Sequence, residues 1–250
     1  MNTDRPTYDA ARQALRTHFA YSDFRPGQGD VVRAVLEGRD TLAVMPTGGG
    51  KSICYQIPAL LFDGLTIVVS PLISLMQDQV DALKRARVRA TFINSMLDFR
   101  DAMERIEQAR RGLYKLMYVA PERFESPAFL ERMRGARISL FAVDEAHCIS
   151  EGGHDFRPSY LKLHEALDFL GRPPVAALTA TATPDVRDDI VRQLTLRQPT
   201  IIVRGFNREN LVLRVVQGAN KRESILETSS RGDCGIVYAG TRTAVEEIAE

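Results

Sequence analysis

Short apolar runs rich in Val, Ile, Leu and Ala alternate along this chain with longer stretches whose apolar residues recur every three or four positions. The runs fall at 41–45, 65–69, 90–93, 115–119, 138–143, 175–178 and 201–203. Near-continuous apolarity over so few residues marks strands buried on both faces, and hence a largely parallel sheet. Helical patterns lie between them, at 53–61, at 72–86 and at 99–111. In the second, Leu72, Leu75, Met76, Val80 and Leu83 share one face; the third stops at Gly112, a good terminator. Pro184 after Thr183 opens a further helix towards Leu194. Strand and helix alternating over about two hundred residues predict an α/β fold, a doubly wound and mostly parallel sheet. In such sheets ligands collect at the carboxyl ends of the strands, where Pro46, Ser70, Ala120, Asp144 and Thr179 fall.

This pattern closes near Arg204, giving a first domain of residues 1–204. Residues 205–210 read as a connector, and a second pattern occupies 211–250. It holds a strand at 211–216, a helix through Ile225, an apolar strand at 235–239 and a helix at 243–250. One or two strands and two helices cannot bury a doubly wound core, so this second domain is expected to be a truncated start. Ile236, Val237 and Tyr238 then have no complete sheet to join and are expected to be exposed, mispaired or engaged in self-association.

Composition narrows the setting. The 33 basic and 32 acidic residues nearly cancel, so a polyanion must meet a local basic surface. Two basic groups, Lys84-Arg85-Arg87-Arg89 and Arg132-Arg134-Arg137, close helical patterns, where cations are favourable in their own right. Cys54, Cys148 and Cys234 are few, scattered and odd in number, which fits a reducing compartment and predicts no zinc site. No apolar run approaches a membrane span and the start does not read as a signal peptide, so a cytoplasmic, nucleoid-associated location with no membrane partner is expected.

The chemistry begins at Met45-Pro46-Thr47-Gly48-Gly49-Gly50-Lys51-Ser52, between a strand-like and a helical run. Three glycines let backbone N–H groups wrap an anion without Cβ obstruction. Lys51 adds positive charge, and the Ser52 hydroxyl can hold a magnesium ion bridging two phosphates. A helix N-terminus would face the phosphates. Met45 stands where the general phosphate-loop pattern has its first glycine. Further on, Asp144 at the end of a strand can hold magnesium, and Glu145 is placed to polarise the water that attacks a γ-phosphate. By itself such a pair also reads as a solvated acidic loop; beside a phosphate loop it reads as hydrolysis.

Asp144-Glu145-Ala146-His147 together with the phosphate loop resembles the DEAH-box superfamily-two helicases. Phe24-Arg25-Pro26-Gly27-Gln28 resembles the adenine-recognising motif of the RecQ DNA helicases. Gly38-Arg39-Asp40, residues 54–60, residues 70–79, residues 118–123 and residues 177–182 follow that family in order, so the resemblance covers nearly the whole chain. It implies a RecA-like ATPase lobe, the cofactors ATP and Mg²⁺, and 3′-to-5′ translocation along DNA in recombination or repair. It also implies a role for each motif residue. Phe24, Arg25 and Gln28 would take the adenine, and Thr47, Gly48, Gly49, Gly50, Lys51 and Ser52 the phosphates. Ser52 and Asp144 would hold the metal, Glu145 would activate water, and His147 would couple. Ser70 and Pro71 would meet the backbone of single-stranded or partly duplex DNA, with His154, Phe156 and Arg157 in a DNA-sensing loop. Thr179 and Thr181 would link nucleotide state to closure of the two lobes.

One departure matters. Where the family usually carries Gln-Trp in the DNA-sensing loop, this chain has Glu151-Gly152, and it contains no tryptophan. The loss removes a stacking surface worth about 1–3 kcal/mol per base, so DNA coupling through this loop is expected to be weak. The second lobe of such helicases supplies an arginine finger worth about 10³–10⁵ in rate, and the resemblance places it beyond residue 250. The 250 residues alone are therefore expected to bind ATP, hydrolyse it poorly and not unwind duplex DNA. Two other readings remain: a nucleotide-dependent DNA-binding or regulatory module without motor activity, and an RNA helicase sharing the acidic box.

Overall fold

The structure, a computed structural model, describes residues 5–153, 155–205, 212, 215, 221–230 and 235–249. It divides into two units, Met1–Phe206 and Asn207–Glu250. The first unit runs α1 (Tyr8–Phe19), α2 (Gln28–Leu36), β1 (Thr41–Val44), α3 (Ile53–Leu61), β2 (Leu65–Val69), α4 (Ile73–Arg85), β3 (Ala90–Ile93) and α5 (Phe99–Arg110). It continues through β4 (Leu116–Val119), α6 (Pro127–Met133), β5 (Ile138–Val143), α7 (Leu163–Phe169), β6 (Val175–Thr179), α8 (Pro184–Gln193) and β7 (Thr200–Val203).

All seven strands form one parallel sheet in the order β3-β4-β2-β5-β6-β1-β7. Successive side chains of a strand point to opposite faces, which sorts the apolar runs into two cores. Leu42, Ile67, Val69, Phe141 and Val143 pack on one face with α8 residues such as Ile190. Ala43, Val68, Leu140, Ala142 and Leu178 pack on the other with Tyr55 and Met76. A third cluster joins α1, α2 and α3 through Leu15, Val32, Leu36 and Ile57. Helix starts are set by side chains that accept orphan N–H groups: Thr7 from Ala10, Asp98 from Asp101 and Thr183 from Val186. Each cap is worth about 1 kcal/mol.

Two expectations need correction in this unit. Leu72 is the N-cap of α4 rather than a core position and is 45% exposed, while Met76, Val80 and Leu83 are buried as the spacing implies. β7 is apolar but is an edge strand, so Ile201 and Val203 are partly exposed. A buried Asp40 ties this end of the sheet together. Its carboxylate accepts from Arg172 Nη2 at 2.9 Å and from the N–H groups of Val175 and Arg197 at 2.8 and 2.7 Å.

In the second unit α9 spans Lys221–Ser229 and α10 spans Arg242–Ala249. The apolar run at 235–239, expected as a strand, has no regular secondary structure, because no neighbouring strand pairs with it among the described residues. Ile236 and Tyr238 are 78% and 88% exposed. The expected strand at 211–216 contains only two described residues; 206–210 of the connector, Cys234 and His154 lie outside the described residues. Among the described residues no helix is long and apolar enough to cross a membrane, and no group of three or more His, Cys, Asp or Glu is placed to hold a metal.

Candidate active site

Four neighbouring strands, β2, β5, β6 and β1, end side by side and bring the predicted residues to one edge. The strand ends are stitched by backbone bonds: Asp144 N–H to Val69 O at 2.8 Å and Met45 N–H to Thr179 O at 3.0 Å. The phosphate loop, the acidic box and the Thr179 segment thus share one platform.

The glycines of the loop are required by different constraints. Gly48 and Gly50 have φ of +79° and +73°, a region costly for side chains. A Cβ at Gly49 would stand 2.8 Å from Pro46 O. Gly49 N–H itself donates to Pro46 O at 2.9 Å. The helix α3 opens with Ile53, Cys54 and Tyr55 donating to the carbonyls of Gly50, Lys51 and Ser52, so its first N–H groups are engaged rather than orphaned. Among the described residues, no hydrogen bond engages the N–H groups of Gly48, Gly50, Lys51 or Ser52. Those donors and the Lys51 charge fit a polyphosphate.

Gln28 and Arg25 brace this loop from outside. Gln28 Nε2 donates to Gly49 O at 3.1 Å and Gly50 O at 3.0 Å, and its Oε1 accepts from Arg25 N–H at 2.8 Å. The Arg25 guanidinium donates to Gly48 O at 2.7 Å. Phe24 turns away, stacking on Tyr8 with centroids 5.6 Å apart in the α1–α3 cluster. A cleft of about 310 Å³ opens beside Arg25, Gln28, Gly50 and Ser52. Gln79, the last residue of the motif at 70–79, also lines it, as does Tyr21, which lies outside the motifs.

The acidic box turns on Glu145, which has φ +46° in the left-handed region, a strain of about 1–3 kcal/mol for such a residue. Asp144 Oδ1 accepts the Glu145 N–H at 3.0 Å, and the Tyr160 hydroxyl donates to Asp144 O at 3.1 Å, which together hold the turn. Burial, reinforced by the Glu145 charge, pushes the Asp144 carboxyl up to about 6. No Lys or Arg pairs with it among the described residues. A buried carboxylate whose ionised form is disfavoured by burial fits a divalent cation. Glu145 is pulled below the usual carboxylate range by its hydrogen bond with His147, and also by Lys51. It is therefore ionised at neutral pH. His147 Nδ1 lies 3.4 Å from Glu145 Oε2 and 2.9 Å from Thr179 Oγ1. Because the Thr179 hydroxyl donates to Thr181 O at 3.1 Å, it accepts from His147, which puts the proton on Nδ1.

The loop after the box is fastened to the second strand end. Arg157 donates to Pro71 O at 3.0 Å and pairs with Asp155 at 2.9 Å. Ser70 is buried and Phe156 half-buried. Gly152 is exposed, and a Cβ there would find only ordinary contacts with Ser150 Oγ and Val186. A cleft of about 370 Å³ adjoins it, lined by His147, Thr181, Pro184 and Arg187 among others.

The sequence pattern of the family described as DEAD/DEAH box helicase matches residues 25–190, most of the chain. The chain belongs to that family. This DEAD/DEAH box chain is similar to the ATP-dependent DNA helicase RecQ of Bacillus subtilis (strain 168). The two are 49% identical over 244 residues, covering 96% of this chain and 41% of that relative. The probable ATP-dependent DNA helicase RecS of the same organism is 45% identical over 244 residues, covering 95% of this chain and 49% of the relative. The chain thus spans less than half the length of the curated relatives it matches. In structure it resembles the helicase Lhr of Mycobacterium smegmatis, solved bound to ssDNA and AMP-PNP. The TM-score is 0.66 at 20% identity, over 96% of this chain and 34% of that one. That likeness establishes the RecA-like helicase fold.

Within this DEAD/DEAH box lobe the structure brings Gly48 to Ser52, Asp144, Glu145, His147, Thr179 and Thr181 to one platform, with Arg25 and Gln28 against it. Ser70, Pro71, Phe156 and Arg157 gather beside it, and Phe24 faces the helical cluster. Tyr160, which holds Asp144, gave no motif signal, since a lone tyrosine in a polar stretch reads as packing.

Proposed function

We propose that residues 1–204 are the ATP-binding lobe of a RecQ-like ATP-dependent DNA helicase and that 211–250, after a connector at 205–210, begin a second RecA-like domain. The observation that carries this reading is the meeting, at adjacent strand ends, of the glycine loop, the Asp144–Glu145 pair and the His147–Thr179 link.

In this reading Gly48 to Ser52 hold the phosphates, with Thr47 at the loop's entry, and Arg25 and Gln28 bring the base cleft against the loop. Since Gln28 Nε2 is committed to two loop carbonyls, adenine recognition by that amide exchanges those bonds for bonds to the base. Ser52 and Asp144 would hold magnesium, which, when bound, supplies charge neutralisation between phosphates. Glu145, ionised and tied to His147, orients water. His147 passes a change at Glu145 to Thr179 and Thr181, the route from nucleotide state to lobe closure. Ser70, Pro71, Phe156, Arg157 and His154 are assigned to single-stranded or partly duplex DNA, with 3′-to-5′ movement in recombination or repair. The setting proposed is the cytoplasm, at the nucleoid.

The 250 residues assayed alone are proposed to bind Mg·ATP and hydrolyse it slowly. The test is steady-state ATP hydrolysis with and without single-stranded DNA, with Lys51→Ala as control. Slow turnover that disappears in the control is expected. Equal turnover in the control sinks the site assignment, and robust duplex unwinding by the 250 residues sinks the claim of weak activity. A regulatory module without motor activity is the second reading, favoured by the bare Gly152 surface. RNA in place of DNA is the third, separated by competition between the two strands.

A further inference from the structure

Between the base cleft and the sheet lies a buried polar link that the phosphate loop and acidic box do not use. Gln56 is in α3, one turn beyond Ser52; Gln79 is in α4, which follows Ser70-Pro71; Tyr118 is in β4. The Gln56 amide commits both hydrogens, to Gln79 Oε1 at 2.9 Å and to the Tyr118 hydroxyl at 3.1 Å. Gln56 and Tyr118 are buried, Gln79 is half-buried, and both glutamines line the base cleft. Beside them Tyr55 is wholly buried, its ring edge-on to Tyr118 with centroids 6.4 Å apart, and its hydroxyl has no hydrogen-bond partner.

Apolar packing lets two helices slide, whereas hydrogen bonds are directional and leave a buried donor unsatisfied when broken. Gln56 therefore fixes α4 against α3 in one arrangement. Coupling between sites requires an element with two arrangements, and the Tyr55 hydroxyl, buried beside Tyr118, is the group that a second arrangement of this link would engage. One end reaches the helix that starts at Ser52, and the other the helix that leaves Pro71.

We propose that Gln79, Gln56 and Tyr118 are positioning residues that couple strand binding at Ser70-Pro71 to nucleotide affinity at the phosphate loop. This rests on the function proposed above. The link runs through the interior of the sheet face, separately from the His147–Thr179 route.

The experiment uses the full 250-residue chain and a fluorescent non-hydrolysable ATP analogue with magnesium, titrated with and without a saturating thymidine oligonucleotide. The ratio of the two Kd values reads the coupling, expected to be about fivefold or more in the parent chain. Tyr118→Phe preserves ring volume and Gln79→Leu sits at a half-buried position, so each folds independently of the other's outcome. In both the ratio is expected to fall to within about twofold of one; in Tyr118→Phe, which lies outside the cleft, the Kd measured without oligonucleotide is expected to be unchanged. Gln79→Glu keeps the acceptor oxygen and is expected to keep the ratio. An undiminished ratio in both Tyr118→Phe and Gln79→Leu overturns the link and leaves the functional reading standing. So does a loss of affinity that is the same with and without oligonucleotide, which is what a merely structural network would produce. Failure of the parent chain to bind the oligonucleotide overturns the functional reading and the link together.

Discussion

Gly152 and Gly153 are neighbours under opposite constraints. A Cβ on Gly153 would lie 2.4 Å from His147 O and 3.0 Å from Ser150 O, inside the turn that follows the acidic box. Gly153→Ala is expected to lower stability by about 1–3 kcal/mol and to slow nucleotide hydrolysis, read by thermal melting and turnover together. At Gly152 the space is open, so Gly152→Trp is expected to melt as the parent does. It should tighten oligonucleotide binding by about 1–3 kcal/mol, the worth of one stacked base. Unchanged affinity by fluorescence anisotropy would remove DNA from this loop. Asp144 adds a pH dependence. Its pKa of about 6 against an ordinary 3.8 means that the folded chain holds this proton more tightly than the unfolded chain does. The group therefore opposes folding in full above pH of about 6, and the opposition fades as pH falls from about 6 to the ordinary 3.8. Asp144→Asn is expected to gain on the order of 1–3 kcal/mol near neutral pH, with the gain gone at about pH 3.8. Denaturant titrations giving the same gap at both pH values would refute this. The motifs named Gln28 and Asp144, but not that Gln28 clasps Gly49 and Gly50 or that Tyr160 holds Asp144, because each contact joins segments separated in sequence.

At the scale of elements, the apolar runs marked all seven strands of the sheet, since strands covered by helices on both faces leave little room for polar residues. The same signal misled at 235–239. Apolarity announces a strand only where neighbours exist to pair with it, and pairing is not written in the run itself. Nor did the run at 201–203 announce that β7 closes the sheet as an edge. That edge is secured by Asp40, whose carboxylate joins the start of β1 to Arg172 and to the N–H groups leading into β6 and β7. The Arg172 and Asp40 side chains are only 8% and 6% exposed. Asp40→Ala leaves that guanidinium buried without its partner and is expected to cost about 3–5 kcal/mol. Arg39→Ala, which removes only the exposed pair with Glu37, is the near-neutral control. Equal melting points for the two variants would show that Asp40 is not the fastening.

For the whole molecule, the near-balance of 33 basic and 32 acidic residues sets no strong field against self-contact. Apolar side chains in the second unit, above all Ile236 and Tyr238, stand exposed within it. Such surface is a partner site or an aggregation liability. Sedimentation is expected to show concentration-dependent association that the double change Ile236→Ser, Tyr238→Ser reduces. A parent chain that stays monomeric at every concentration argues against association through this surface.

The parallel pairing of β7 with β1 has a mechanical consequence. Arg204 extends that pairing by one bond, N–H to Val44 O at 2.9 Å, and its guanidinium grips Asp30 while its stem covers Gly27. A tug on the polypeptide beyond residue 204 runs along β7 and loads its evenly spaced, slanted bonds to β1 together. β1 hands that tension straight into Met45 and the glycine loop, and Asp30 hands it into the helix that begins at Gln28. The exit of the first unit is thus a tow-line hitched at two points, to the strand that enters the glycine loop and to the helix that carries Gln28.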